Sequence, residues 1–422
     1  MKQETTQKAY ELARQRYADA GIDTDRALEI LSSTPLSMHC WQGDDVGGFE
    51  TPDAALSGGG IQVTGNYPGK ARNVEELRQD IEQAFSLIPG THRLNLHASY
   101  GEFKGKRVDR DAVAPEHFSG WIDWAKEHAA GLDFNGTFFS HPKADSGFTI
   151  SSKDEAIRSF WIEHALRCRE IGAEMGRQLG SPCVLNLWVP DGCKDYTVDR
   201  YAYRKLLKQS LDTIFEKDYD QRYLKESIET KLFGIGSEAF VTGSHEFYMN
   251  YACASGKMLC IDMGHFHPAE SIPDKISSIL LFHEELLLHV SRPMRWDSDH
   301  IVVLNDSIYE LFQEVVRCGG LGRVHVGLDF FDGSLNRVGA WVVGTRAALK
   351  GLLFALLEPT GQMRAFEDQQ QFIGRLQLQE LQKSMPFGAV WDYYCMTKGV
   401  VQEDELLDRM FSYEEKVLRG RR

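Results

Sequence analysis

The chain has 422 residues, of which 42% are hydrophobic, and it carries a formal net charge of −14. That length and apolar content are sufficient for a large buried core. The acidic charge argues against general nucleic-acid binding, because phosphate backbones would repel it. The eight cysteines form no CxxC pair, so the pattern predicts reduced thiols and neither a zinc knuckle nor a disulfide scaffold.

The amino-terminal segment, MKQETTQKAYELARQRYADAG, is charged and has a helical pattern, unlike a secretory signal. We find no apolar run of the roughly 18 residues that a membrane span needs. We therefore expect a cytoplasmic protein with no membrane contact.

Eight short segments, rich in apolar, β-branched and aromatic residues, are predicted to be strands buried on both faces. They are residues 37–42, 93–100, 132–139, 183–190, 229–236, 257–265, 286–293 and 324–331. Helical patterns lie between most of them, as at 73–88 and 154–180. Alternating strands and helices predict parallel crossover units, and eight units close naturally into a (β/α)8 TIM-type barrel. An open doubly wound sheet is disfavoured, because we find no GxGxxG in its first turn.

After Trp341 the pattern is purely helical, with breaks at Pro359 and Pro386. The sequence thus predicts a catalytic barrel domain with an amino-terminal helix over residues 1–345 and a C-terminal helical extension over 346–422. Because the extension has no reactive cluster of its own, we expect it to mediate oligomerisation.

Polar side chains gather where the predicted strands end, at the face where β/α barrels place their reactive groups. Glu229 and Lys231 are two residues apart in an extended segment, so both should point into the barrel. Later strand ends and loops contribute Asp262, His265, His289, Asp297, Asp299 and Asp329. Five buried carboxylates would repel one another unless cations neutralised them. We therefore predict two divalent metal ions, with Mn²⁺ or Mg²⁺ favoured by this donor set and Co²⁺ or Zn²⁺ able to substitute.

Each residue taken alone has a simpler interpretation. A single Asp or His at a strand end is more often a hydrogen-bonding loop residue than a ligand. Asp297 and Asp299 could form a solvated acidic turn, and Lys231 could be an ordinary salt-bridge partner of Glu229. Three aromatic residues end strands near the same cavity, where they could pack in the core or cover the apolar faces of a bound molecule: Trp41, Phe139 and Trp188.

With these residues in view, the sequence resembles the L-rhamnose isomerase family over essentially its whole length. The segments that carry the resemblance are SMHCWQGDDVGGFE, NLHASYGEF, NLWVPDGCKDYTVDR, KLFGIGSEAF, GSHEFYMNYA, DMGHFHP, RWDSDHIV and GLDFFDGSLNR. These strings are long and specific in composition, so chance agreement is a poor explanation.

The resemblance implies a homotetrameric, manganese-preferring barrel enzyme that interconverts the sugars L-rhamnose and L-rhamnulose. It assigns the first, structural metal to four ligands: Glu229, Asp262, His289 and Asp329. It assigns the second, catalytic metal to His265, Asp297 and Asp299. It also makes His97 the contact to the pyranose ring during ring opening, and we count Lys231, Asp329 and His97 as the catalytic residues.

Isomerisation can proceed by proton abstraction through an enediol or by a direct hydride shift. Because no uncommitted carboxylate or imidazole at the strand ends suits a carbon base, the sequence favours the metal-assisted hydride shift, with Lys231 polarising the carbonyl at O1. Two alternatives are a metal-dependent phosphodiesterase or endonuclease, against which the net charge argues, and a non-catalytic sugar-binding or metal-binding barrel. The second alternative predicts loss of Lys231 or of the second-metal ligands, and the sequence retains them all.

Overall fold

A computed structural model describes residues 2–50, 65–195, 197–230, 239–267, 269–292, 294 and 298–421. Eight parallel strands close into a barrel in the order β1-β10-β9-β8-β6-β4-β3-β2, and a separate antiparallel pair joins β5 to β7. The strands are β1 (Leu36–His39), β2 (His92–His97), β3 (Gly131–Asn135), β4 (Cys183–Leu187), β5 (Gly192–Cys193), β6 (Leu224–Glu229), β7 (Phe240–Val241), β8 (Met258–Asp262), β9 (Leu286–Val290) and β10 (Val324–Leu328). The predicted TIM-type barrel is confirmed.

Helices surround this barrel and continue beyond it. They are α1 (Lys2–Asp19), α2 (Thr24–Ser33), α3 (Val74–Phe85), α4 (Ser119–Glu127), α5 (Glu155–Leu179), α6 (Arg200–Ile214), α7 (His245–Ser255), α8 (Ile272–Leu280), α9 (Asp306–Arg317), α10 (Arg337–Leu356), α11 (Thr360–Asp368), α12 (Phe372–Lys383), α13 (Phe387–Thr397) and α14 (Glu403–Lys416). The long helix α5 shows how local sequence sets the boundaries. The Asp154 carboxylate accepts from the first-turn amides, and Gly180 ends the helix in the left-handed region at φ 63°.

Seven of the eight strand segments overlap the observed barrel strands closely, but the prediction for the fifth was wrong about its start. That strand is Leu224–Glu229 and ends at the residue where the predicted segment begins. The charged pair Lys225 and Glu226 hides the strand in the sequence. In the structure their charges are paired with Glu285 and with Arg169 and Lys257, so they are tolerated in a barrel strand.

Helix α10 is a core helix, with most of its residues buried, including Arg337 and Arg346, which form ion pairs with Asp45 and Glu403. Within the described residues it is the one helix long and apolar enough to cross a membrane, yet 83% of its most apolar window is buried inside the protein. It packs on β1 and on the helices α2, α3 and α9. The helical pattern predicted after Trp341 covers most of this helix. It runs through the expected domain boundary at residue 345, and the division into 1–345 and 346–422 stays a prediction.

The C-terminal helices pack against the amino-terminal helix and against α3. The rings of Tyr10 and Tyr393 stack with their centroids 3.7 Å apart. The buried carboxylate of Asp80 accepts hydrogen bonds from Tyr413 at 2.6 Å and from Arg421 at 2.5 Å. The two ends of the chain are therefore joined to one another and to the barrel.

Candidate active site

Four side chains meet at the carboxyl ends of neighbouring strands. Glu229 and Asp262 are the last residues of β6 and β8, His289 lies in β9, and Asp329 directly follows β10. One ligand atom from each of the four lies within 4.8 Å of the others. Nδ1 of His289 is 3.2 Å from Asp329 Oδ2, 3.5 Å from Glu229 Oε2 and 3.8 Å from Asp262 Oδ2. The sequence-predicted first ligand set is thus brought together in space.

The charge balance of this group suits a divalent cation. Burial acts to lower the pKa of His289, but the neighbouring groups Cys260, Glu229 and Asp329 raise that pKa well above its ordinary value. Burial acts to raise the pKa of Asp329, and the adjoining His289 lowers it to about 2. Neither ring nitrogen of His289 has a hydrogen-bond partner among the described residues. Three carboxylates and an imidazole form the hard, oxygen-rich donor set that Mn²⁺ or Mg²⁺ prefers.

Hydrogen bonds from a neighbouring strand and from the loop after β8 hold two of the carboxylates. Asn186 Nδ2 donates to Glu229 Oε2 at 2.6 Å, and Ser227 Oγ donates to Asn186 Oδ1 at 2.9 Å. The backbone amide of Gly264 donates to Asp262 Oδ1 at 2.5 Å. These bonds fix which oxygen of each carboxylate faces the centre of the group.

Two residues of the predicted second ligand set lie close to the first set. His265 Nδ1 donates to the Thr230 carbonyl oxygen at 2.7 Å and lies 3.2 Å from Glu229 Oε1. Since a carbonyl oxygen only accepts, Nδ1 carries the hydrogen, which leaves Nε2 as the ring nitrogen that could bind a cation. Asp299 is half-buried with φ 39°, and its carbonyl oxygen accepts from Phe331 N at 3.1 Å, beside the end of β10. Asp297 and Lys231 lie outside the described residues.

Four aromatic side chains lie beside these carboxylates, and we call them the aromatic wall: Trp41, His97, Phe139 and Trp188. The ring centroids lie 4.9 Å apart for Trp41 and His97, 5.7 Å for His97 and Phe139, and 5.6 Å for Phe139 and Trp188, all at steep angles. Burial lowers the pKa of His97 to about 3, so its imidazole is neutral at physiological pH. The four rings offer an apolar surface with one neutral, polar imidazole edge.

A buried arginine, Arg110, binds the loop that carries Phe139. Arg110 pairs with Glu50, and its guanidinium also donates to the backbone carbonyls of Thr137 and Phe139. Thr137 Oγ1 lies 3.2 Å from His97 Nδ1, within hydrogen-bond distance. His164 Nε2 accepts from the Thr137 amide at 3.0 Å. The loop after β3 is therefore held by side chains from three other segments.

Sequence reasoning missed several residues that the structure places in or beside the site. Asn186 and Ser227 each lie two positions before a predicted site residue, Trp188 and Glu229, so the period-two pattern of a strand would have found them. His39, fully buried against Trp41 and Phe330, is two residues before Trp41 and could have been found in the same way. Thr137 is likewise two positions before Phe139, but the observed strand ends at Asn135, so Thr137 lies in a loop where the period-two pattern does not apply.

The opposite end of the barrel has a different chemistry. A cavity of about 260 Å³ opens among the amino-terminal halves of the strands, lined by Ser37, Arg93, Asp133 and others. Arg93 forms two hydrogen bonds with the Asp133 carboxylate, at 2.9 and 2.7 Å, and Ser37 donates to the same group at 2.6 Å. Because these charges satisfy one another, this end of the barrel serves stability rather than ligand binding.

Comparison with known proteins adds whole-chain similarity to this geometry. The family model described as L-rhamnose isomerase (RhaA) matches residues 4–421. The L-rhamnose isomerase of Rhodopirellula baltica is 55% identical over 98% of this chain and 97% of its own length. That of Bacteroides thetaiotaomicron is 55% identical over 99% of both chains. Among solved structures, an L-ribulose 3-epimerase has a TM-score of 0.43 at 12% identity, covering 69% of this chain and 92% of its own.

Proposed function

Because the chain belongs to the L-rhamnose isomerase family, we infer that it isomerises L-rhamnose, and we propose that it forms L-rhamnulose by a hydride shift assisted by two metal ions. The observation that carries the proposal is the convergence of Glu229, Asp262, His289 and Asp329 beside the aromatic wall. The reaction would be the first step of L-rhamnose breakdown, and we expect it in the cytoplasm.

Two sets of side chains would hold the cations. The described group of Glu229, Asp262, His289 and Asp329 would hold the structural ion, and His265, Asp297 and Asp299 would hold the catalytic ion. When bound, the cations supply charge neutralisation and carbonyl polarisation, and Mn²⁺ is the ion that we expect the protein to use. Support comes from the hard donor set and from the ring nitrogens of His289, which lack hydrogen-bond partners among the described residues.

The residues of the chain have separate tasks in the proposed reaction. Going from aldose to ketose, a hydride moves from C2 to C1 and the O2 proton is transferred to O1. The neutral imidazole of His97 would contact the pyranose ring and move a proton as the ring opens. Trp41, Phe139 and Trp188 would cover the apolar faces of the sugar and exclude water from the hydride transfer. Lys231 would hold the developing charge on O1.

We also propose that the protein is a homotetramer in which the C-terminal extension contributes subunit contacts. In the described residues, α12 leaves three large apolar side chains largely exposed, Phe372, Ile373 and Leu376, and α14 leaves Leu407 and Phe411 exposed. Apolar side chains grouped on one helix are typical of surfaces that another subunit covers. Sedimentation at micromolar concentration would reveal a monomer if this assignment is wrong.

The test of the proposed function is an isomerase assay on metal-free and reloaded protein. Purified protein should convert L-rhamnose to L-rhamnulose, lose this activity on chelation and regain it with Mn²⁺. Metal analysis of the fully loaded protein should find two ions per chain. Conversion that survives complete chelation, or at most one ion per chain in an active protein, would contradict the two-metal proposal.

A further inference from the structure

A second group of potential ligands shares two members with the first. Glu229, Cys260 and His289 each present one ligand atom within 4.8 Å of the others, and all three side chains are buried. Cys260 is fully buried and is a free thiol. The two groups differ in their remaining members, which are the oxygen donors Asp262 and Asp329 in one and a single sulfur donor in the other.

The strand geometry explains why the thiol lies there. Cys260 is two residues before Asp262 on β8, so both side chains point to the same face of the strand. It is also the direct neighbour of Glu229 across the β6 and β8 pairing, as Asp262 is of His289 across β8 and β9. Below it, Cys260 packs with three apolar residues inside the barrel, Val184, Met258 and Leu287. The thiol therefore lies between an apolar floor and the carboxylates above.

We propose that Glu229, Cys260 and His289 form a second cation site, selective for thiophilic divalent ions such as Cd²⁺ or Zn²⁺ and mutually exclusive with the Mn²⁺ site. Sulfur, nitrogen and oxygen donors together are typical ligands of soft and borderline cations, whereas Mn²⁺ prefers oxygen-rich sets. His289 supports both sites, because neither of its ring nitrogens has a hydrogen-bond partner among the described residues. On binding, the sulfur and a ring nitrogen of His289 form bonds to the cation, and the thiol proton and the proton of that nitrogen leave to solvent.

Mutual exclusion follows from the shared ligands. A cation bound through Cys260 takes Glu229 and His289, and these are half of the four ligands of the oxygen-rich group. The thiophilic ion would thus bind one side-chain layer deeper in the barrel and prevent Mn²⁺ from binding. The expectation that Cd²⁺ abolishes isomerase activity rests on the proposed function. The expectation that Cys260 binds Cd²⁺ is independent of that function, and a binding measurement tests it separately.

The test is a titration of the metal-free protein with Cd²⁺, followed by the sulfur-to-cadmium charge-transfer absorption in the ultraviolet. All variants carry Cys253→Ser, which removes the exposed thiol. The band should saturate at one ion per chain. Cys260→Ala should abolish this absorption band and raise the Cd²⁺ dissociation constant at least about tenfold. Removing an outer-shell partner of a ligand already weakens metal binding by about tenfold or more, and removing the ligand itself should weaken it at least as much. The matched control is Cys183→Ala, another buried strand cysteine, which should keep the band.

Two further measurements keep the proposal falsifiable if Cys260→Ala folds poorly. Cadmium NMR of the parent protein should show a resonance in the range of sulfur ligation, and a resonance typical of oxygen and nitrogen ligands alone would overturn the proposal. With Mn²⁺ present at a hundred times its own dissociation constant, the apparent dissociation constant for Cd²⁺ should rise about a hundredfold. Unchanged Cd²⁺ binding under those conditions would show that the two sites do not share ligands.

Discussion

The side-chain amide of Asn186 donates a hydrogen bond of 2.6 Å to Oε2 of Glu229 on the adjacent strand. Ser227 donates to the amide oxygen of Asn186 at 2.9 Å, so the amide is held with its NH₂ group towards the carboxylate. Asn186 is only 2% exposed. It is therefore placed to act as a positioning residue for a proposed metal ligand.

Asn186→Ala should weaken Mn²⁺ binding about 10- to 100-fold, the range observed when an outer-shell partner of a metal ligand is removed. The measurement is the Mn²⁺ dissociation constant of the metal-free variant by calorimetry. Asn135→Ala is the matched control, because its amide donates to Asn95 and not to a carboxylate. Equal losses of Mn²⁺ affinity in the two variants would indicate a general effect on barrel packing and not the positioning of Glu229.

Cation binding should release about one proton per ion bound at the four-residue group. In the metal-free protein the raised pKa of His289 keeps its imidazole protonated at neutral pH, and only the neutral ring can be a ligand. Lower pH favours the competing proton, so Mn²⁺ affinity should fall as pH falls, by about tenfold per pH unit. Calorimetry in two buffers of different ionisation enthalpy counts the protons. A count of zero at neutral pH would contradict protonation of His289.

Most of the barrel was predictable because its strands are buried on both faces and therefore appear as apolar runs. The strand Leu224–Glu229 was misplaced because Lys225 and Glu226 interrupt its run with charges. Their partners Glu285 and Arg169 lie 60 and 57 residues away along the chain. A pattern confined to the strand holds no information about partners so distant, and only the closed sheet brings them together.

The candidate site was predictable to a lesser degree. The four proposed ligands of the first set end or follow strands in the structure, and the barrel rule was enough to place Asp262 and Asp329 on the same face. Glu229 began its predicted segment, so only the observed strand puts it at a carboxyl end. The support of His97 was not predictable, because Thr137, Arg110 and Glu50 reach it from loops whose paths depend on tertiary packing. Residue type alone also does not show that burial keeps His97 neutral.

His97→Asn should lower kcat/KM for L-rhamnose about 10²- to 10⁴-fold, the usual contribution of a group that transfers a proton. Thr137→Val should cause a smaller loss, because it removes only the hydroxyl beside His97 Nδ1. Mn²⁺ binding should remain near that of the parent protein in both variants. If His97→Asn instead lost Mn²⁺, the defect would lie in the metal site and the assignment to ring opening would be wrong.

Glu50→Gln should destabilise the protein, by as much as about 3–5 kcal/mol, because it leaves the buried Arg110 guanidinium without its anionic partner. The side chain of Arg110 is only 3% exposed and that of Glu50 16%. Denaturant unfolding of the metal-free proteins measures the change. Glu29→Gln is the control, since its pair with Arg26 is largely exposed and should contribute no more than about 0.5 kcal/mol. Similar losses in the free energy of unfolding of both variants would contradict a stabilising role of the buried pair of Arg110 and Glu50.

Isomerisation in heavy water should leave the transferred hydrogen unexchanged. Within the described part of the chain, the strand-end carboxylates Glu229, Asp262 and Asp329 all lie in the ligand group. Burial lowers the pKa of His97 to about 3, which makes its imidazole too weak a base to abstract a proton from carbon readily.

A hydride that moves directly from C2 to C1 never equilibrates with solvent, whereas a proton removed through an enediol can exchange. NMR of L-rhamnulose formed in deuterium oxide at initial rates should therefore show protium retained at C1. The control is the same product incubated without enzyme, which measures spontaneous exchange. Substantial deuterium at C1 above that background would replace the hydride shift with an enediol route.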